Sequence, residues 1–144
     1  MPHLQFDINK KLNPSVRSKF KKKIIETFSQ VMETGKDHIA ISLREHSLKS
    51  LRLGRAGSSD YVCIMNLDIR KGRSYKQKRN LAISYMEIVR EVLGIKHENQ
   101  YLTYTDHNGL EFNSDKPEQE NLQNTSWLLF SPNPYGNCNS YTFH

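Results

Sequence analysis

Proline at position 2 has chemical consequences that few residues would have there. It is small enough for the initiator methionine to be removed, and the chain would then begin with a secondary amine, a base and nucleophile at one defined point. In water near neutral pH such an amine is mostly protonated, but burial and neighbouring cations both disfavour the charged form. Cations are at hand in Arg70-Lys71-Gly72-Arg73-Ser74, which falls between the end of a strand pattern and the start of a helix pattern. The forked donors of Arg70 and Arg73 suit a carboxylate, and the open amides of a helix start add to the pull on an anion. A neutral amine beside paired guanidinium groups is equipment for moving a proton on a small carboxylic acid. Taken singly, Pro2 also reads as an ordinary second residue, and residues 70–73 as an exposed turn.

The elements that must position these groups are legible as two copies of one pattern. Leu4, Phe6 and Ile8 alternate with His3, Gln5 and Asp7, the period of a half-buried strand. Asn13-Pro14 opens a helix, with Asn13 as cap and Pro14 where its missing amide costs nothing. Val16, Phe20, Ile24, Phe28 and Val31 form the buried stripe, and Gly35 is expected to end it. Ile39, Ile41 and Leu43 mark a second strand. After an irregular linker from His46 to Ser59, Tyr61 to Ile69 reads as a strand. Ser74 and Gln77 form a capping box, and Leu81, Tyr85, Ile88 and Val92 form the next stripe, with Gly94 as stop and Tyr101 to Thr105 as the last strand.

Each β-α-β unit joins parallel strands by a right-handed crossover. The fold class expected is α+β: two consecutive β-α-β units in one four-stranded mixed sheet with two helices on one face. The other sheet face is expected to be apolar and to need cover, which ring closure among identical subunits would supply. Residues 1–112 make up this domain. Residues 113–144 form a polar C-terminal extension whose apolar island, Trp127-Leu128-Leu129-Phe130, suits an edge strand or an intersubunit clasp.

The chain carries 21 Lys and Arg against 15 Asp and Glu, and the excess is clustered at residues 17–23 and 70–79, which favours anionic partners. No apolar run approaches the roughly 20 residues of a membrane span, so no membrane partner is expected. Cys63 and Cys138 form no CxxC spacing, which fits a reducing cytoplasm. The histidines have no mutual spacing for a metal site, and neither metal nor cofactor is expected; His107, beside Asp106, lines the candidate site.

The opening Met-Pro-His-Leu-Gln-Phe-Asp-Ile, the segment Gly35 to Leu43 and the segment Leu67 to Ser74 resemble the tautomerase superfamily, whose members use an amino-terminal proline. The resemblance spans residues 2 to 112 and is greatest to the malonate semialdehyde decarboxylase and cis-3-chloroacrylic acid dehalogenase branches. It implies the tautomerase/MIF-like fold, a homotrimer with sites near subunit boundaries, and a cofactor-independent isomerase. It makes Pro2 the general base or acid, Arg73 with Arg70 the carboxylate clamp, Asp37 the acid that assists decarboxylation, and Tyr104 the strand tyrosine that orients water or substrate. Glu111 is a loosely placed counterpart of the acid that activates water in the dehalogenase branch.

The departures weaken hydrolytic dehalogenation: Ser29 and Gln30 stand where that branch has a histidine in its first helix. The reading is therefore a tautomerase-type enzyme acting on a small 2-oxo or enol carboxylic acid. The alternatives are a decarboxylase of a beta-keto or semialdehyde acid or a related hydratase or dehalogenase, a non-catalytic trimeric scaffold, and a nucleic-acid-binding protein acting through the basic clusters. The last lacks any zinc-finger, RNP or helix-turn-helix signature.

Overall fold

The structure is a computed structural model and describes residues 2–112; expectations for Met1 and for residues 113–144, Cys138 among them, lie outside the described residues. Four strands, β1 (His3–Ile8), β2 (Ala40–Glu45), β3 (Cys63–Arg70) and β4 (Gln100–His107), alternate with two helices, α1 (Pro14–Met32) and α2 (Tyr75–Ile88), as β-α-β-β-α-β. The sheet order is β2-β1-β3-β4, with β1 parallel to β2, β3 parallel to β4, and β1 antiparallel to β3. This is the four-stranded mixed sheet expected from the doubled pattern.

Phe6, on the central strand, touches both helices, at 5.1 Å edge-on to Phe20 of α1 and 5.8 Å from Tyr85 of α2. Both helices therefore cover one sheet face. Leu4, Phe6, Ile8, Met65, Leu67 and Ile69 are fully buried beneath them. The Tyr85 hydroxyl donates to the Ile24 carbonyl at 3.0 Å, tying α2 to α1 inside the core, and burial raises its phenol pKa. Cys63 lies in the same core, where burial raises its thiol pKa and keeps it unreactive.

Local signals set most helix ends. The Asn13 side chain accepts from the Val16 amide at 2.9 Å. Ser74 and Gln77 form the reciprocal capping box, each contact at 3.1 Å. Two details differ from the sequence reading. Helix α1 stops at Met32 because Glu33, not Gly35, turns into the left-handed region (φ 52), its amide bonding back to Ser29. Met32 is fully buried in the stripe while Val31 is only partly so. After Ile88 the chain continues as a π turn, Val89–Leu93, before Gly94 closes it in the left-handed conformation. The extra residue per turn rotates the register, so Val89 and Leu93 are buried where Val92 was expected.

The sheet face opposite the helices corrects a further expectation. It carries His3, Gln5 and Asp7 of β1, Ser42 and Arg44 of β2, Asn66, Asp68 and Arg70 of β3, and Thr103, Thr105 and His107 of β4, with Ala40, Ile64 and Tyr101 as its apolar or aromatic members. It is mostly polar, because the alternation that puts leucine and isoleucine under the helices puts mainly charged, amide and hydroxyl residues opposite. No helix among the described residues is long and apolar enough to cross a membrane.

The Phe6 cluster generates a test. Phe6→Ala removes the ring that both helices share and should cost roughly 3–5 kcal/mol in equilibrium denaturation of the full chain. A loss below about 1 kcal/mol would show that the core closes without it.

Candidate functional site

The sheet topology determines which residues share an end of the molecule. Strand β1 runs opposite to β3 and β4, so its first residues lie beside their last ones: His3 pairs with Asp68, two residues before the end of β3 at Arg70, and Arg70 pairs with His107 at the end of β4. Strand β2 starts at the same end, where the Ala40 amide donates to the Pro2 carbonyl at 2.9 Å. Pro2, Arg70 and His107 thus come from opposite ends of the domain to one edge of the sheet. Helix α2 begins there as well, after the turn at Lys71-Gly72. Gly72 has φ +104, a conformation that side chains with a Cβ resist.

The two arginines are not equivalent. The Arg73 Nη1 donates to the Met32 carbonyl at 2.7 Å, and Gln77 reaches the Val31 carbonyl at 3.4 Å. Both therefore cap open carbonyls at the end of α1, and Arg73 joins the two helices. Arg70 lies against Gly109 in the short 3₁₀ turn Gly109–Glu111 that follows β4. A Cβ built at Gly109 would stand 2.8 Å from the Arg70 Nη2 and 2.9 Å from its Cζ, so the guanidinium occupies space that only glycine leaves open.

A row of polar side chains crosses all four strands at this end. The His3 Nε2 is 2.8 Å from the Ser42 Oγ, and its Nδ1 is 3.9 Å from the Asp68 Oδ2. The other Asp68 oxygen is 3.4 Å from the His107 Nε2, and the His107 Nδ1 is 2.9 Å from the Glu111 Oε2. Hydrogen bonds to Glu111 and then to Asp68 raise the His107 pKa above its ordinary value. His107 and Glu111, which the sequence suggested only loosely, meet here. His3, Ser42 and Asp68 were missed as site residues, although each takes a polar place in the alternation of its strand, β1, β2 and β3.

Asp37 and Tyr104 stand apart from this row. Asp37 is exposed in the turn before β2. Tyr104 faces the helix layer: its hydroxyl donates to the Lys78 carbonyl at 2.7 Å, and burial raises its pKa. Lys78 also reaches Asp106 at 2.6 Å and lies over the Tyr104 ring. The packing role accounts for Tyr104 as the structure has it, and its hydroxyl is committed to backbone. Within the basic clusters, Arg17 is paired with Glu45 at 2.7 Å. Among the described residues no group of three or more His, Cys, Asp or Glu side chains could hold a metal ion.

A second polar knot lies farther along the same sheet face. Arg44 grips both oxygens of Asp7, at 2.8 and 3.0 Å, while the His46 Nε2 approaches at 2.7 Å and the Gln5 amide at 3.2 Å. Burial alone would raise the Asp7 carboxyl, but the hydrogen bonds from Arg44, His46 and Gln5 outweigh it and hold it below its ordinary value. A cavity of about 210 Å³, lined by Asn9, Leu48, Leu51, Arg52, Leu53 and Asp60 among others, is at this far end, away from Pro2.

No family profile and no curated protein matches the sequence. Solved structures do match in shape. A fused 4-OT described as a symmetric trimer superposes with a TM-score of 0.72 at 15% identity, covering 80% of this chain and 93% of that one. The FG41 malonate semialdehyde decarboxylase inhibited by 3-bromopropiolate gives 0.69 at 11% identity, covering 83% and 94%. A macrophage migration inhibitory factor-like protein from Entamoeba histolytica gives 0.67 at 14% identity, covering 79% and 95%. The chain has the tautomerase/MIF-like fold.

The Asp7 knot yields a pH test. A carboxyl held low in the folded state stabilises above its unfolded pKa and loses that contribution as pH falls through the folded value. Asp7→Asn should therefore lower the Tm near neutral pH, and the gap to wild type should close on acidification below the ordinary Asp value of 3.8. A gap that stays constant into acid would mean the ion pairs contribute nothing.

Proposed function

We propose that this chain is a cofactor-independent enzyme of tautomerase type. With Met1 removed, the Pro2 amine serves as general base and then general acid on a small 2-oxo or enol carboxylic acid. Arg70 holds the substrate carboxylate, and Arg73, one of whose nitrogens is engaged by Met32, supports it. The observation that carries the reading is that Pro2, just before the central strand β1, and Arg70, at the end of the neighbouring strand β3, lie at one end of the sheet, in a fold shared with 4-OT and with a malonate semialdehyde decarboxylase.

In the forward direction the free amine takes a proton from the carbon beside the ketone, and the electron pair moves into the new carbon–carbon double bond. Negative charge builds on the ketone oxygen, where a guanidinium stabilises it in the transition state. The ammonium of Pro2 then protonates that oxygen, giving the enol and restoring the amine. No external oxidant or reductant is required. Proximity supplies much of the gain, since amine and carboxylate clamp are held by one sheet.

A homotrimer completes the proposal. Strands β2 and β4 each have one strand partner among the described residues, and their outer edges are where another copy would add to the sheet. The buried free thiol of Cys63 suits a reducing cytoplasm.

Decarboxylation of a beta-keto or semialdehyde acid would use the same amine and arginine but draws on Asp37, which is exposed in its turn. The discriminating variant is Asp37→Asn, expected to leave tautomerisation unchanged.

Pro2→Ala should reduce turnover of phenylpyruvate or 2-hydroxymuconate by roughly 10²–10⁴-fold, the range of a positioned general base. Blocking Met1 removal should do the same, with mass spectrometry reporting the terminus. Full activity in both variants would eliminate the amine mechanism. Met1 retained in the native protein would favour a non-catalytic scaffold, and salt-sensitive nucleic-acid binding would favour the basic clusters as the functional surface.

A further inference from the structure

His107 has a carboxylate at each ring nitrogen: Glu111 Oε2 is 2.9 Å from Nδ1 and Asp68 Oδ1 is 3.4 Å from Nε2. A neutral imidazole has one N–H and one lone pair, whereas an ionised carboxylate only accepts. Both contacts are hydrogen bonds only when the ring carries two protons. The Phe112 ring meets the imidazole edge-on at 5.4 Å, the Lys71 amide donates to the His107 carbonyl at 2.8 Å, and the Glu111 amide donates to Asn108 at 2.9 Å. Together these contacts hold residues 108–112 against the sheet end. Within that segment lies Gly109, the surface on which the Arg70 guanidinium rests.

We propose that doubly protonated His107 is a latch that positions Arg70 for a carboxylate ligand, bridging Asp68 on β3 to Glu111 on the following turn and so fixing Gly109 beneath the guanidinium. The inference rests on Arg70 being the carboxylate-binding residue, and it adds regulation by pH to that site. Loss of one proton from His107 breaks one of the two bridges. The turn then loosens from the sheet, and Arg70 loses the Gly109 backbone as one of the surfaces that orient it.

Among the described residues, the charged and titratable groups around His107 are Asp68 and Arg70 on β3, Glu111 on the turn itself, and His3 of β1, which is 3.9 Å from the other Asp68 oxygen. Asp106, the preceding residue, is on the opposite face and is held by Lys78. Glu111 first and Asp68 second raise the imidazole pKa above 6.5. For a histidine raised in this way the favourable contacts are complete at low pH and are lost as pH rises through the folded value. The latch therefore opens on the alkaline side of an ordinary histidine titration.

The test is a pyruvate titration of the full-length protein followed by NMR, with the Arg70 Nε–H resonance recorded in the same samples. In wild type, pyruvate affinity should fall about tenfold from about pH 6 to about pH 9 as the histidine loses its proton. His107→Gln should bind about tenfold more weakly at the lower pH and show a flat profile. Glu111→Gln, a milder change that keeps the ring and Asp68, should fall between the two. Wild-type affinity with an unchanged pH profile in His107→Gln would overturn the latch. Arg70→Ala separates this from the reading beneath it. If that variant binds pyruvate normally, Arg70 is not the anchor, and the latch is then judged by the Arg70 signal alone. A sharp, slowly exchanging Nε–H near pH 6 that is lost in His107→Gln supports it, and the same signal in both overturns it.

Discussion

Strand β1 is hydrogen-bonded along both edges, in parallel register to β2 from His3–Ala40 to Ile8–Glu45 and in antiparallel register to β3 from His3–Asp68 to Ile8–Cys63. The first residues of the chain are therefore the middle of the sheet, where most proteins have a frayed end. Removing β1 would split the sheet in two, since β2 and β3 meet only through it. The same pairing holds Pro2 with the rigidity of a sheet, and the Ala40 amide extends that hold to the Pro2 carbonyl.

The antiparallel seam between β1 and β3 has a second effect. It turns the second unit around, so that the ends of β3 and β4 lie beside the start of β1. Arg70, distant in sequence from Pro2, arrives at the same edge for this reason alone. The polar row from Ser42 through His3, Asp68 and His107 to Glu111 follows the same geometry, running diagonally across the four strands and onto the turn after β4. Its members are ordinary surface residues when read along the chain.

The two faces of the sheet divide the work. Leucine, isoleucine, methionine and phenylalanine under the helices supply cohesion, and the polar face is satisfied internally by ion pairs such as Asp7 with Arg44 and His46. A polar face of this kind tolerates water on it, so association of copies is not compelled by exposed hydrocarbon. Any assembly would rest on strand edges and polar contacts instead. Arg73 shows the same economy on the helix side: a residue that could meet an anion is used to close the end of α1.

The sequence by itself determined the elements, because periodicity and capping are local. The stripes of Phe20, Ile24 and Phe28, the Asn13 and Ser74 caps and the alternation of β1 all reappear in the structure. Local signals were weaker where competing conformations differ little in energy. Glu33 took the left-handed turn that Gly35 was expected to take, and a π turn moved burial from Val92 to Val89 and Leu93. Pro2 and Arg70 were legible as candidates, but their placement at one end of the sheet was not. Only the tertiary structure decided which residues share an end of the sheet, that Arg73 closes the end of α1, and that Tyr104 belongs to the helix layer. These depend on strand order and register, which are set by contacts between residues far apart in the chain and carry no signature at any one position.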